Sequence, residues 1–422
     1  MRVIEYGKGI DLQRLEQLVV GWLEEQQQDW KKVLLLPPDI TRSHSMAGPI
    51  CDILYRHLSP TCQVDLMPAL GTHMAMEDEE LRAMFGQNIP LDRFIVHNWQ
   101  KDCVTLGKVP GEFVREVSEG LLDFEIEVQV NHRLIDGGYD KIISVGQVVP
   151  HEVVGMANYS KNIFVGCGGE SMISGTHFLG AVYGMERMMG RDRTPVRKVF
   201  DYAQEHFLSH VPLTFMLTVI GQYEGEDALN ALFIGSGREP FEEAVKVSQK
   251  LNLNFVKEPL KKVVVFMEPE EFRTTWVGNK SIYRTRMAIA DGGELIVLAP
   301  GVRQFGESEG VDRLIGKYGY TGRDNILAAV NRGEDIASNL SVAAHIVHGS
   351  PDGRFNVTYA VRHLTKDQVE SIGFTYGDYD EYAKRYDPKK LKDGFNTLPD
   401  GEEIYYISNP ALGLWALEEN FK

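Results

Sequence analysis

Lys32-Val33-Leu34-Leu35-Leu36-Pro37-Pro38-Asp39-Ile40-Thr41-Arg42 is an apolar run that stops at two prolines and then presents an acid, a hydroxyl and a guanidinium. A short apolar run bounded by proline reads as a strand buried in a parallel sheet. Val64 to Leu70 (VDLMPAL) repeats the arrangement and leads into Gly71-Thr72-His73, and Lys141 to Gly146 (KIISVG) leads to a loop carrying Pro150-His151. Asp11 to Gln26 carries apolar residues at helical spacing. Apolar runs alternating with helical patterns predict a doubly wound α/β domain. Ligands of such sheets gather at the carboxyl ends of the strands, so Asp39, His73 and His151 are expected to share one site.

The pattern resets over residues 252–261 (NLNFVKEPLK). Lys262 to Phe266 (KVVVF) begins a second α/β unit, Ser281 to Asp291 reads as a helix, and Glu294 to Gly301 (ELIVLAPG) as a further strand and turn. A chain of 422 residues accommodates two domains. The expectation is α/β throughout, with mostly parallel doubly wound sheets in domains over residues 1–260 and 261–409. Pro410 to Asn420 has the pattern of an amphipathic helix.

The formal charge is −16, from 44 basic and 60 acidic residues, and such a surface repels polyphosphate. Nucleic acid is therefore not an expected partner, whereas local arginines still suit a small anion. Cys51, Cys62, Cys103 and Cys167 form no CxxC pair, which argues against structural zinc. The start MRVIEYGKG lacks an apolar signal-peptide core, and no window approaches 18 apolar residues. A reduced, cytoplasmic protein without a membrane partner is expected.

Several residues offer chemistry. His73 and His151 each follow a strand and a turn, and two imidazoles flanking one carbon suit proton exchange near neutrality. Either one serves equally as a loop hydrogen-bonding residue. Lys161, just before the apolar Ile163-Phe164-Val165, becomes nucleophilic if partly buried and is an ordinary solvated lysine if not. His177 is a possible metal ligand, although a lone histidine is weak evidence for metal. The run Gly166-Cys167-Gly168-Gly169 either lets backbone approach a phosphate or simply turns the chain. Arg42 has the fork to bind carboxylate or phosphate, while Asp39 or Thr41 can cap a following helix, whose N-terminus also attracts anions.

Taken in order, Asp39-x-Thr41-Arg42, His73, Pro150-His151, Lys161 and His177 resemble the signature of the lactate racemase family. Those enzymes use a nickel-pincer nucleotide (nickel pyridinium-3,5-bisthiocarboxylic acid mononucleotide) to invert 2-hydroxy acids. The resemblance extends loosely over nearly the whole chain. It implies a cofactor covalently attached at Lys161 through a thioamide, with His177 as the protein ligand to nickel. It further implies His73 and His151 as the acid–base pair, and Asp39, Ile40, Thr41 and Arg42 as contacts to the nucleotide, Arg42 also nearing the substrate carboxylate. In that chemistry hydrogen leaves C2 as a hydride, which avoids a carbanion. The family architecture implies an active-site cleft between the domains and a C-terminal helix, 410–422, packed back on the first. Cofactor-synthesis proteins are implied partners.

The chain departs from the family pattern in two places. Asn158 and Tyr159 stand where family members carry two glycines, which puts the shape of the lysine loop in question. Tyr283-Arg284-Thr285-Arg286-Met287 replaces a Tyr-Gln-x-x-Lys pattern that goes with lactate. Arg284 and Arg286, with Lys280 and Trp276 nearby, point to a 2-hydroxy acid longer or more polar than lactate, such as a sugar acid or a dicarboxylate. Positions i and i+2 of a helix diverge, so at most one of the two arginines faces substrate. Two other readings remain open: a hydrolase or lyase with one metal at His73, His151 and His177, and a non-catalytic small-molecule-binding protein.

Overall fold

The computed structural model describes residues 1–26 and 29–421, and the chain divides into two compact units. One comprises Met1–Leu179 with Met188–Asn252, the other Gly180–Arg187 with Leu253–Lys422. The change of unit at residue 252 falls a little before the expected boundary, and no local pattern marks the excursion at 180–187. Both units are α/β, each around a six-stranded sheet.

In the first unit the strands run Arg2–Ile4, Glu226–Gly235, Leu213–Tyr223, Lys141–Gln147, Lys32–Leu36, Gln63–Leu66 across the sheet. The last four are mutually parallel, and the first two pair antiparallel. Leu35 lies in register with Leu66 on one side and Ile143 on the other. Val33, Leu35, Ile143 and Val145 point to one face, where Leu15 and Val19 of helix Leu12–Glu25 and Ile50 and Leu54 of helix Ala47–Leu58 cover them. Each such fully buried side chain contributes about 1.5–3 kcal/mol. Asp11 starts the first helix by accepting the amide of Arg14 at 2.8 Å. Beyond Leu66 the chain stays beside its neighbour, the amides of Met67 and Ala69 donating to Leu35 and Pro37 at 2.9 and 2.8 Å. The functional loops after Leu36 and Leu66 are thus anchored side by side.

The second sheet runs Thr375–Asp378, Asn356–Val361, Ile289–Leu298, Leu260–Phe266, Glu403–Ile407, Gly394–Thr397, all parallel except the last. Two expectations need correction. The helix read over Ser281–Asp291 covers only Lys280–Thr285, because the amide of Leu260 captures the carbonyl of Ala288 and draws Ile289 into the sheet. Pro410–Asn420 is not a helix. It forms a short 3-10 turn, Pro410–Leu412, then strand Trp415–Leu417, parallel to Asn254–Val256, then another 3-10 turn, Glu418–Phe421. Leu414 and Ala416, both fully buried, follow a strand period rather than a helical one. This segment belongs to the second unit; residue 422 lies outside the described residues. Among the described residues no helix is long and apolar enough to cross a membrane.

Candidate active site

Pro37 and Pro38 end the strand, and Asp39 opens the 3-10 turn Ile40–Ser45. Its Oδ1 accepts the amide of Thr41 at 3.1 Å and also the Thr41 hydroxyl, so the capping reading holds for Asp39. Its other oxygen, Oδ2, lies 2.5 Å from Nδ1 of His73. Burial works to raise the Asp39 pKa, but the bonds from His73 and Thr41 outweigh it and hold the carboxylate below its ordinary value. The Asp39 side chain is 7% exposed and that of His73 59%, so a buried anion orients an accessible imidazole. In the neutral ring Nδ1–H donates to Asp39, and Nε2 keeps the lone pair. Ile40 packs its side chain on the first core.

The lysine loop follows strand Lys141–Gln147. His151 pairs with Gly155 in a two-residue antiparallel ladder. Gly155 has φ +95°, and a Cβ there would lie 2.2 Å from the Arg191 carbonyl oxygen. Asn158 and Tyr159 then take φ of +62° and +54°, the left-handed region that glycine enters freely. Such residues cost about 1–3 kcal/mol each, Asn bearing it better than Tyr. The two departures from the family's glycines thus fall where the backbone itself calls for glycine. Lys161 next leads into a π-helical turn, Asn162–Gly166, a geometry common at functional sites. Asn162 fixes this turn to the sheet, its amide donating to the Leu36 carbonyl and to the Ser144 hydroxyl, both at 2.9 Å. The Gly71 amide donates to Gly166 at 2.8 Å, tying the His73 loop to the same turn.

Lys161 is half-buried; burial and then the nearby Arg42 lower its pKa to about 8, against the pull of Glu152 and Asp39. At pH 7 about a tenth of its amine is then uncharged and nucleophilic, far more than for an ordinary lysine. His151 is held well below its ordinary value by burial, then by Lys161, with Arg42 and His177 adding to the effect. Its Nδ1 accepts the Val153 amide at 3.2 Å, so the neutral ring carries its proton on Nε2. His177 lies within helix Glu170–Tyr183, and Nδ1 donates to the Ile173 carbonyl at 2.6 Å. That bond leaves the lone pair on Nε2, the arrangement a metal-bound histidine uses. Burial, then Lys161, lowers the His177 pKa to about 4, so the ring is neutral and able to ligate.

One cluster therefore gathers Asp39, Thr41, Arg42, His73, His151, Lys161 and His177. It also holds Glu152, which sequence reasoning passed over. Its carboxylate acts on His151, Lys161 and His177 and opposes the depression of all three. Its place beside His151 was the one available signal. Among the described residues no three His, Cys, Asp or Glu side chains converge as a metal site. The donor set fits a metal held by one protein nitrogen and completed by a cofactor. Gly168 and Gly169 have packing reasons: a Cβ would lie 1.9 Å from the Phe164 carbonyl oxygen and 2.6 Å from the Gln129 side chain, respectively. Cys167, just before them, is buried, and burial pushes its thiol up, leaving it inert.

The second-unit arginines differ from each other. Arg286 is 2% exposed and bound on all sides: Nε to Glu186 at 2.6 Å, Nη1 to the carbonyls of His348 and Ser350 at 3.0 Å each, Nη2 to Asp352 at 3.5 Å. These bonds weigh against its reading as a substrate ligand, since the donors they use already serve the fold. Arg284, on the helix Lys280–Thr285, is half-buried. A cavity of about 1140 Å³ in this unit is lined by Glu186, Arg286, Arg354 and Asp352. Their charges pair among themselves, so its size does not make it the site of chemistry.

Residues 19–189 match the family model described as the lactate racemase N-terminal domain. No curated protein sequence matches the chain. A solved protein from Thermotoga maritima shares the fold with a TM-score of 0.78 and 24% identity, covering 98% of this chain and 99% of that one. The lactate racemase apoprotein from Thermoanaerobacterium thermosaccharolyticum shares it with a TM-score of 0.72 and 15% identity, at the same coverage. The family's N-terminal domain is thus matched across the loops of Asp39, His73, His151, Lys161 and His177, and the chain shares the fold of a lactate racemase apoprotein along nearly its whole length.

Proposed function

We propose that the protein is a racemase or epimerase that inverts C2 of a 2-hydroxy acid, with a nickel-pincer nucleotide attached at Lys161 and its nickel bound by His177. The observation that carries this reading is the pairing of a partly neutral Lys161 amine with a His177 whose Nε2 lone pair is set by Ile173. When bound, the cofactor supplies a hydride acceptor for C2. The chain's own residues manage the rest. His73, with its Nε2 lone pair, would accept the hydroxyl proton on one side and become an imidazolium, while His151 would donate on the other only in its imidazolium form, giving up Nε2–H and returning to the neutral ring. For the opposite enantiomer the roles exchange. Arg42 holds the substrate carboxylate while the planar carbon presents its other face. Arg284, where the lactate pattern has Gln, favours a more polar acid than lactate. The reading of one metal on three histidines gains no support from the described side chains, which do not converge on such a site.

The test is the intact mass of protein produced with cofactor-synthesis proteins, for wild type and Lys161→Ala. Added mass in the wild type alone supports attachment. Chiral analysis of lactate, malate and sugar acids then identifies the substrate. His73→Ala and His151→Ala should each lose racemisation by about 100-fold or more while keeping the added mass. Wild type without added mass, beside a loaded control racemase, discards the proposal.

A further inference from the structure

Just ahead of Lys161 the chain places two consecutive non-glycine residues, Asn158 and Tyr159, in the left-handed region. Something must hold them there, and one side chain reaches the whole loop. Arg197, on helix Pro195–Phe207, is fully buried. Its Nη2 donates to the Met156 carbonyl at 2.7 Å, and its Nη1 donates to the Ser160 hydroxyl at 2.7 Å and to the Asn158 carbonyl at 3.3 Å. The guanidinium carbon lies 4.4 Å from the Phe241 ring centre and 5.8 Å from that of Tyr159. Tyr159 in turn stacks on Phe241 at 5.0 Å and leans on Phe215 at 4.5 Å. Asp201, one helical turn beyond Arg197, supplies the countercharge and is itself paired with Arg238.

We infer that Arg197 is a positioning residue for Lys161: its planar fork, backed by the Tyr159–Phe241 stack, locks residues 156–160 so that the lysine leaves the loop in one direction. The interaction acts through the loop, with no bond from Arg197 to Lys161. A lysine at 197 would keep the charge but lack a rigid fork able to serve Met156 and Ser160 together. The role in cofactor attachment rests on the proposed function, while the locking of the loop does not.

Two readouts separate them. The first is amide hydrogen exchange of residues 156–162 in protein made without cofactor, for wild type, Arg197→Lys, Arg197→Met and Ser160→Ala. Ala157, Lys161 and Asn162 donate to Val149, Asn158 and Tyr159, so their protection reports the lock. Arg197→Met should speed their exchange tenfold or more, with strand Lys141–Gln147 unchanged and Arg197→Lys intermediate. Ser160→Ala, which keeps Arg197 buried, gives the same test in a milder form if Arg197→Met does not fold. The second readout is the fraction of protein carrying added mass at Lys161 after production with the synthesis proteins. It should fall severalfold in Arg197→Met and Ser160→Ala and partly recover in Arg197→Lys. Unchanged exchange overturns the lock. Faster exchange with undiminished loading overturns the positioning role. An unloaded wild type defeats the cofactor reading alone, because the exchange result stands without it.

Discussion

His73 and Asp39 form a dyad, Nδ1 to Oδ2 at 2.5 Å, in which the carboxylate is buried and the imidazole exposed. The carboxylate fixes which ring nitrogen faces outward. Thr41 holds the opposite oxygen, so Asp39 has little freedom to turn.

Asp39→Asn should therefore keep the fold and lower kcat by about 10- to 100-fold, the usual effect of removing an orienting partner. The sign of the pH effect follows from the depressed Asp39 pKa. The dyad is intact above the ordinary carboxylate range and is lost as pH falls through the folded-state value. The acid limb of the wild-type kcat profile should carry this ionisation, and the variant should lack it. An identical acid limb in both proteins would falsify the dyad's role.

Lys161 carries a stability cost that the cofactor would remove. Its pKa is about 8 folded and near 10.4 unfolded, so below pH 8 both states are charged and the folded one bears the whole desolvation penalty. Between these values the unfolded chain binds more protons, and stability rises with pH. Lys161→Met, in protein without cofactor, should be more stable at pH 7 by on the order of 3 kcal/mol. That difference should shrink as pH climbs from 8 to 10.5. Denaturant titrations of both proteins at pH 7, 9 and 10.5 measure it, and a gap that stays constant counts against a buried amine.

Much of this was legible in the sequence because it depends on local order. Lys32–Leu36 and Lys141–Gln147 are apolar runs with clear stops, and the residues just beyond them form the candidate site. What was hidden depends on contacts far along the chain. Arg197 meets the lysine loop 37 residues away, at Ser160, and no local pattern marks it. Ala416 looked helical because apolar residues surround it, yet Asn254–Val256 pairs with its strand. Arg286 carries the charge of a ligand, but only the carbonyls of His348 and Ser350 reveal that it serves the fold.

His177 should control metal without controlling attachment. His177→Ala, produced with the synthesis proteins, is expected to keep the added mass at Lys161 while losing most of its nickel on gel filtration. Elemental analysis beside intact mass reads both at once. Nickel retained at the wild-type ratio would remove His177 from the metal site. Acid should act in the same direction on the wild type. The ring is neutral above about pH 4 in the folded state, whereas the unfolded ring charges near 6.5. Its contribution to stability is therefore full above 6.5 and declines as pH falls towards 4.

Arg286 offers the sharpest contrast between a structural and a substrate arginine. Arg286→Met would remove the Arg286 donors from the carbonyls of His348 and Ser350 and one of the two arginine partners of Glu186, which keeps Arg354. Leaving two carbonyls without their donor and weakening this partly exposed network costs about 1–3 kcal/mol. The carboxyl of Glu186, which burial would raise, is held low chiefly by Arg286, so the loss should be largest above the carboxylate range and smaller in acid. Arg284→Gln, by comparison, should leave the melting temperature within a degree or two and raise KM for the preferred acid relative to lactate. Melting curves and the ratio of kcat/KM values for the two acids, measured on both variants, decide the matter. An Arg286 variant that melts normally but loses substrate affinity would reverse the assignment of the two arginines.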